Sequence, residues 1–321
     1  MKKLIALILV LTLSALALAS CSGKGDEKIS VAYLAGPTGM GLAKLITDTP
    51  EDSEKYAFTA FTDPNNAASE LLGGNVNMAC LPTNAAANLF NKGKDISVIA
   101  VNTLGSLYVI SNKSTNIETI NDLEGKTILT SVPGSTTEPI LKYILEENGV
   151  NATFDSSSKD HDTLVAKVAS AEGELIAVLP EPKVSAALLK ADEFEVKLNL
   201  SNEWSKVSDE PLAMGCIVVR NDFLKENKKA VNEFLSDYKA SVDFIASKDN
   251  SATAAQTIVD AGIIPKLPLA KSALANLDGS IVLITGQKMT DTLKSFYNVL
   301  LASSADSVGG KQPAEEFYYD E

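Results

Sequence analysis

From Ile29 to Leu104 the chain alternates between short apolar runs and helical patterns, and this alternation limits its fold more than any other feature. Ile29–Leu34, Tyr56–Phe61, Met78–Leu81 and Ile96–Leu104 read as strands. Between them Met40–Thr47, Asn65–Leu72 and Thr83–Asn91 read as helices, with Pro64 suited to a first helical turn. Strands joined through helices are expected to lie mainly parallel, with helices on both faces of the sheet. A second series starts at Tyr108–Ser111. It continues through a strand at Thr127–Thr130, a helix at Thr137–Asn148 closed by Gly149, a strand at Ile176–Leu179 and a helix at Glu181–Lys190. After a long apolar strand, Leu212–Val219, the pattern is almost wholly helical: Asp222–Asn227, Lys229–Ser247, Ala252–Ala261 and Thr285–Ser303.

Those last helices bring few strands of their own and need the first sheet to cover. The chain is therefore expected to leave its first lobe near Leu104–Tyr108 and return near Leu212–Cys216. Two crossings make a hinge with a cleft beside it. The expected architecture is α/β and two-lobed, each lobe a mainly parallel sheet covered by helices. Residues 28–104 and 215–321 would form lobe 1, and residues 105–214 lobe 2.

The leading residues stand outside that scheme. Lys2 and Lys3 precede an apolar stretch, Leu4 to Leu18, too short and too early for a stable membrane span, as in an export signal. Leu18-Ala19-Ser20-Cys21 resembles a bacterial lipobox. That resemblance implies a signal peptide over residues 1–20, a lipidated Cys21 (palmitate among its chains) as first mature residue, and a polar tether over 21–27. An ordinary secretory signal with a chance cysteine is the plainer alternative. Export is expected in either case, and the lipid would hold the protein on the extracytoplasmic face of the cell membrane.

The chain carries −13 at pH 7, and losing Lys2 and Lys3 makes the remainder more acidic. Such a surface argues against nucleic acid or anionic lipid as a direct partner. Cys80 and Cys216, each inside an apolar run, read as small buried hydrophobes, although a disulfide between them is open to an exported protein. His161 is the only histidine, so zinc or iron would lack its usual ligands, and no metal is expected. Its setting, "SSKDHDTLVAKVA", reads more naturally as a helix start than as a general base.

Four turns follow an apolar strand and precede a helix, the place where open α/β sheets hold ligands. They are Gly36-Pro37-Thr38-Gly39-Met40-Gly41, Pro82-Thr83-Asn84, Val132-Pro133-Gly134-Ser135-Thr136-Thr137 and Pro180-Glu181-Pro182. The first lacks both the Gly-Lys-Ser/Thr ending of a nucleotide loop and the spacing of a dinucleotide fingerprint. Singly, each reads as a plain connection. Taken together, two in each lobe, they read as the jaws of a clamp.

"INDLEGKTILTSVPGSTTEPILKYILEENGV" (Ile120–Val150), "GELIAVLPEPKVSAAL" (Gly173–Leu188), "AMGCIVVRNDFLKEN" (Ala213–Asn227) and the terminal "PAEEFYYDE" carry a wider resemblance. The chain resembles the solute-binding lipoproteins of ABC importers, in the nitrate, sulfonate and taurine branch that also includes binders of thiamine-precursor pyrimidines. The resemblance implies a periplasmic-binding-protein-like fold of type II. It further implies a monomer without a cofactor that closes on a small heteroaromatic, sulfonate or zwitterionic solute and passes it to ABC permease subunits. The site residues it implies are Pro37, Thr38, Gly39, Met40, Thr83 and Asn84 from the first lobe. Gly134, Ser135, Thr136 and Glu181 would come from the second, with Leu104, Gly105 and Met214 near the hinge.

Ser135 and Thr136 would donate at a helix start to a carboxylate, sulfonate or ring carbonyl. Glu181 would accept from an amine or ring N–H, or else stabilise its own helix. Met40 and Met214 suit a flat apolar group or plain packing, and Trp204 and Tyr108 suit stacking or core duty. Arg220, the only arginine, reads as a strand–helix boundary, which disfavours a bidentate anion clamp and tilts the reading toward a neutral or zwitterionic solute. Two other roles use related folds: a signalling or sensor lipoprotein, and a pyrimidine-synthesising enzyme that relies on a cysteine-rich motif, histidine and iron. The cleft turns here hold no histidine.

Replacing Cys21 by Ser is expected to remove a lipid mass from the mature chain and release it into the medium. Intact-protein mass spectrometry checks this, and a wild-type chain without lipid would return the leader to an ordinary secretory signal.

Overall fold

The computed structural model describes residues 28–132 and 135–320. The leader, Cys21, the tether and Gly134 lie outside the described residues. The chain opens with β1 (Ile29–Leu34), α1 (Pro37–Met40), α2 (Ala43–Asp48), β2 (Tyr56–Phe61) and α3 (Pro64–Leu72). There follow β3 (Met78–Pro82), α4 (Thr83–Asn91) and β4 (Ile96–Leu104). The second series runs β5 (Leu107–Asn112), β6 (Thr127–Ser131), α5 (Thr137–Glu147), β7 (Thr153–Ser158), α6 (His161–Ala169) and β8 (Ile176–Pro180). It closes with α7 (Lys183–Leu188), β9 (Phe194–Asn199) and α8 (Leu200–Trp204). The return comprises β10 (Ala213–Arg220), α9 (Asn221–Glu226), α10 (Lys228–Ala246), α11 (Ser251–Asp260), α12 (Leu267–Asn276), β11 (Ile281–Ile284) and α13 (Gly286–Ser304).

Local chemistry sets many of these boundaries. Pro64 occupies the first turn of α3, where a missing N–H costs nothing, and the Asp63 carboxylate accepts from Asn65 N at 2.8 Å. Asp160 caps α6 in the same way, accepting from Thr163 N at 2.7 Å, so His161 does begin a helix.

Two sheets result. The first has the order β11-β4-β10-β3-β1-β2, and the second β7-β6-β8-β5-β9. The two-lobed α/β expectation holds, but each sheet is mixed rather than mainly parallel. In the first, β1 lies parallel to β2 and β3, while β10 runs antiparallel to both β3 and β4. The reason is the return crossing: a chain that leaves through β4 comes back in the opposite direction, and β10 inserts beside it. In the second sheet β6 is parallel to β7 and β8, and β5 is antiparallel to β8 and β9.

Apolar residues fill both faces of each sheet. One cluster joins the lobes, running from Ala32, Leu81 and Val98 through Phe296 and Trp204 to Ile140 and Val178. A second lies under α10, α11 and α12, and a third under α6 and α7. Cys80 and Cys216 are free and fully buried on the adjacent strands β3 and β10. Burial pushes the Cys80 thiol up to about 12, which leaves it an inert hydrophobe.

Trp204 is the largest fully buried side chain. It packs between Tyr143 on α5 and Phe296 on α13, at ring-centroid distances of 5.2 and 5.9 Å, and its indole N–H donates to the Glu210 carbonyl at 2.8 Å. Trp204→Ala is therefore expected to lower stability by about 3–5 kcal/mol through cavity formation, measured by chemical denaturation.

Candidate functional site

The turns singled out in the sequence lie at the carboxyl ends of β1, β3, β6 and β8, two in each lobe. The first and last adjoin: a Cβ on Gly36 would lie 4.0 Å from Pro182 Cδ. The first turn is also fixed against the hinge strands, because Asn102 Nδ2 on β4 donates to the Thr38 carbonyl at 2.9 Å. Gly215 on β10 makes room for it. A Cβ there would come within 2.5 Å of Thr38 Cγ2 and 2.7 Å of Asn102 Oδ1, so any larger residue would displace both.

At the second turn Thr83 is taken up by the fold. Its hydroxyl donates to the Ala213 carbonyl at 2.8 Å, its own carbonyl accepts from Tyr297 at 2.9 Å, and it is buried. Asn84 beside it is half-buried.

The third turn begins with backbone strain. Val132 has φ of 56°, a left-handed conformation that a β-branched residue rarely adopts. Strain of this kind concentrates at functional loops. Ser131 before it pairs with His161 Nδ1 at 2.7 Å, and Ser135 N donates to the Val132 carbonyl at 2.9 Å. The His161 imidazole is held below its ordinary range by burial and by the nearby Lys183 ammonium. Ser158, at the end of β7 opposite Ser131, has a buried hydroxyl without a hydrogen-bond partner.

At the fourth turn Glu181 is almost fully buried, 2% exposed. Its carboxylate accepts from Ser185 Oγ at 3.0 Å, from Ser185 N at 3.3 Å and from the Asn276 side-chain amide. It thus stabilises its own helix and reaches across to α12, and its acceptor positions are taken by protein. Burial raises its carboxyl above the ordinary 4.5, against the opposing pull of Asn276 and Ser185.

Seven expected residues, Pro37, Thr38, Asn84, Leu104, Ser135, Thr136 and Met214, stand half-buried at these turns and the adjoining hinge. The Thr38 hydroxyl, the Asn84 amide and the Thr136 hydroxyl make no hydrogen bond among the described residues. Others were expected at the cleft but serve packing. Met40 is fully buried in the core with Tyr33, Leu42 and Tyr238. Gly39 is buried with no room beside it, since a Cβ would sit 2.3 Å from the Leu34 carbonyl oxygen. Gly105 is buried at the crossing, where a Cβ would meet Ser201 Oγ at 1.6 Å. For Tyr108 and Trp204 the sequence left stacking and core duty open, and both are core residues.

Asn102 and Asn276 were not anticipated from sequence, and Val132 and Pro182 entered there only as members of their turns. Only Asn102 left a trace there, as an amide inside the apolar run "ISVIAVNTL". A separate cavity of about 480 Å³ opens between α10, α11 and α12, away from the four turns. Among the described residues no group of three or more His, Cys, Asp or Glu is placed to hold a metal ion, and no helix is long and apolar enough to cross a membrane.

The NMT1/THI5-like family model matches residues 57–252. The chain belongs to the NMT1/THI5-like family. No curated protein matches it in sequence. Among solved structures, an ABC transporter protein from Parabacteroides distasonis is similar in fold, with a TM-score of 0.78 at 20% identity, covering 92% of this chain and 100% of that one. The periplasmic aliphatic sulphonate binding protein SsuA of Escherichia coli gives 0.72 at 14% identity over 92% and 93% of the two chains. The periplasmic nitrate-binding protein NrtA of Synechocystis PCC 6803 gives 0.61 at 12% identity over 88% and 84%. This NMT1/THI5-like chain shares their fold.

A buried acid with a raised pKa holds its proton in the folded state at pH values where the unfolded chain has released it. Glu181 therefore subtracts stability progressively as pH rises from about 4.5 through its folded pKa. Glu181→Gln is expected to flatten the fall in melting temperature over that window, read by thermal denaturation across pH, whereas a parallel profile would assign the slope elsewhere.

Proposed function

We propose that this family member is an extracytoplasmic solute-binding lipoprotein of an ABC importer, not an enzyme. It would take a small organic solute between its lobes and hand it to a membrane permease. The observation that carries this reading is a set of half-buried groups with no hydrogen bond among the described residues, Thr38 and Asn84 from one lobe and Thr136 from the other, on turns at strand ends beside a two-strand hinge. Such groups suit a guest that completes their hydrogen bonding as the lobes close. The sulphonate- and nitrate-binding proteins of the same fold support it. The leader with its lipobox-like stretch ending at Cys21 is consistent with lipid attachment to the extracytoplasmic face of the cell membrane. The working lobe boundaries are 28–104 with 215–321, and 105–214, for a chain that acts as a monomer.

The solute itself is best read as neutral or zwitterionic, a heteroaromatic compound before a sulfonate. Lys183, near the fourth turn, is paired with Asp162 at 2.6 Å, and Arg220 is paired with Asp222 at the opposite end of β10. The polar groups offered by the turns are hydroxyls and an amide. These recognise through geometry and lack the fixed charge that an anion clamp uses.

A thermal-shift panel of pyrimidines, alkanesulfonates and amino acids, followed by calorimetry, is expected to find one class that binds reversibly at 1:1 stoichiometry. For that solute, Thr38→Ala combined with Ser135→Ala should weaken binding by about 1–3 kcal/mol with little effect on the ligand-free melt. An unchanged dissociation constant would remove both residues from the site.

A further inference from the structure

A polar cluster joins the two lobes beside the hinge, and the binding site has no use for it. Asn276 ends α12, which covers the first sheet. Its side-chain amide donates to Glu181 Oε1 in the second lobe, and its backbone carbonyl accepts from the Tyr108 hydroxyl on β5. One turn earlier on α12, Ser272 Oγ lies 2.9 Å from Ser185 Oγ of α7, which in turn donates to Glu181 Oε1 at 3.0 Å. Glu181 N donates to the Ser106 carbonyl at 2.8 Å, which ties the turn to the crossing segment. Tyr108, Glu181 and Ser185 are all buried.

Hydrogen bonds inside one lobe survive a change in the angle between lobes. These cannot. Moving α12 away from α7 breaks the Asn276–Glu181 and Ser185–Ser272 bonds together, and leaves the buried carboxyl with Ser185 as its remaining donor. We propose that Asn276 is a positioning residue for solute binding, clasping Glu181 so that the lobes hold the mutual arrangement seen here before any solute arrives. The solute-binding reading underlies only the consequence. A chain already held in its binding arrangement avoids the loss of apparent affinity that follows when only a fraction of molecules is competent.

The test needs no solute. Spin labels at Ser69→Cys on α3 and Glu146→Cys on α5, both exposed positions, report the interlobe distance in the ligand-free chain carrying Cys21→Ser, since Cys80 and Cys216 are buried. At pH 8, Asn276→Asp sets a carboxylate against Glu181 and is expected to shift the distance distribution, raising the displaced-to-clasped ratio about tenfold. Adding Glu181→Gln to Asn276→Asp exchanges donor and acceptor and should restore the wild-type distribution. A general packing defect would not be rescued this way. An unchanged distribution in Asn276→Asp, or a folded double variant as displaced as the single one, overturns the clasp. Should Asn276→Asp fail to fold, the pair Ser272→Ala and Asn276→Ala is read by the same criterion. A solute that shifts the labels while these variants do not would sink the clasp and leave the binding function standing. Variants behaving as expected with no solute ever bound would do the reverse.

Discussion

The placement of β10 between β3 and β4 is the constraint on which the other features depend. Its register sets Ile217 beside Cys80 and Ala100, in the middle of the first sheet. The same strand begins at the hinge, where Ala213 and Gly215 face Leu104 and Thr103. Three site features follow from that placement. The Ala213 carbonyl receives the Thr83 hydroxyl, Gly215 gives Thr38 its space, and Met214 stands half-buried between them. Strand pairing in the core and turn geometry at the cleft are therefore one arrangement, and a slip of β10 by one residue would invert its side chains and undo both.

How much of this was legible in the sequence depended on whether the signal was local. The bounds of β1, β2, β4 and α4 follow from apolar runs and capping residues, and the structure repeats them. The edge strands β7 and β9 and the short β11 escaped. Of these, "TFDSSS" is polar because an edge strand leaves much of its surface in water, and "IVLI" is too short for a period to separate strand from helix. Strand direction is not written in any local pattern, so the antiparallel insertion of β10 was out of reach. The site divides in the same way. Turn positions were visible, since the switch from strand to helix is encoded nearby. Side-chain destinations were not: Met40 and Thr83 were drawn into the core by contacts with distant segments, and Glu181 meets Asn276 across 95 residues of chain.

The two flanks of the hinge differ in chemistry. On one, Trp204 lies between Tyr143 and Phe296, and Lys288 and Thr292 of α13 hold Glu210 at 2.7 and 2.9 Å. On the other, Tyr108, Glu181, Ser185, Ser272 and Asn276 meet through hydrogen bonds. Apolar contact is non-directional and tolerates small rotations so long as water stays out. A hydrogen bond is directional, and water can replace its partner when it breaks. A change in lobe angle is therefore cheapest when the aromatic flank acts as the pivot and the polar flank opens. That motion would also part Gly36 from Pro182, because the cluster and this contact both run through the turn at Glu181. The cleft and the polar flank would then respond to a single rotation, with the buried carboxyl at the point where they join.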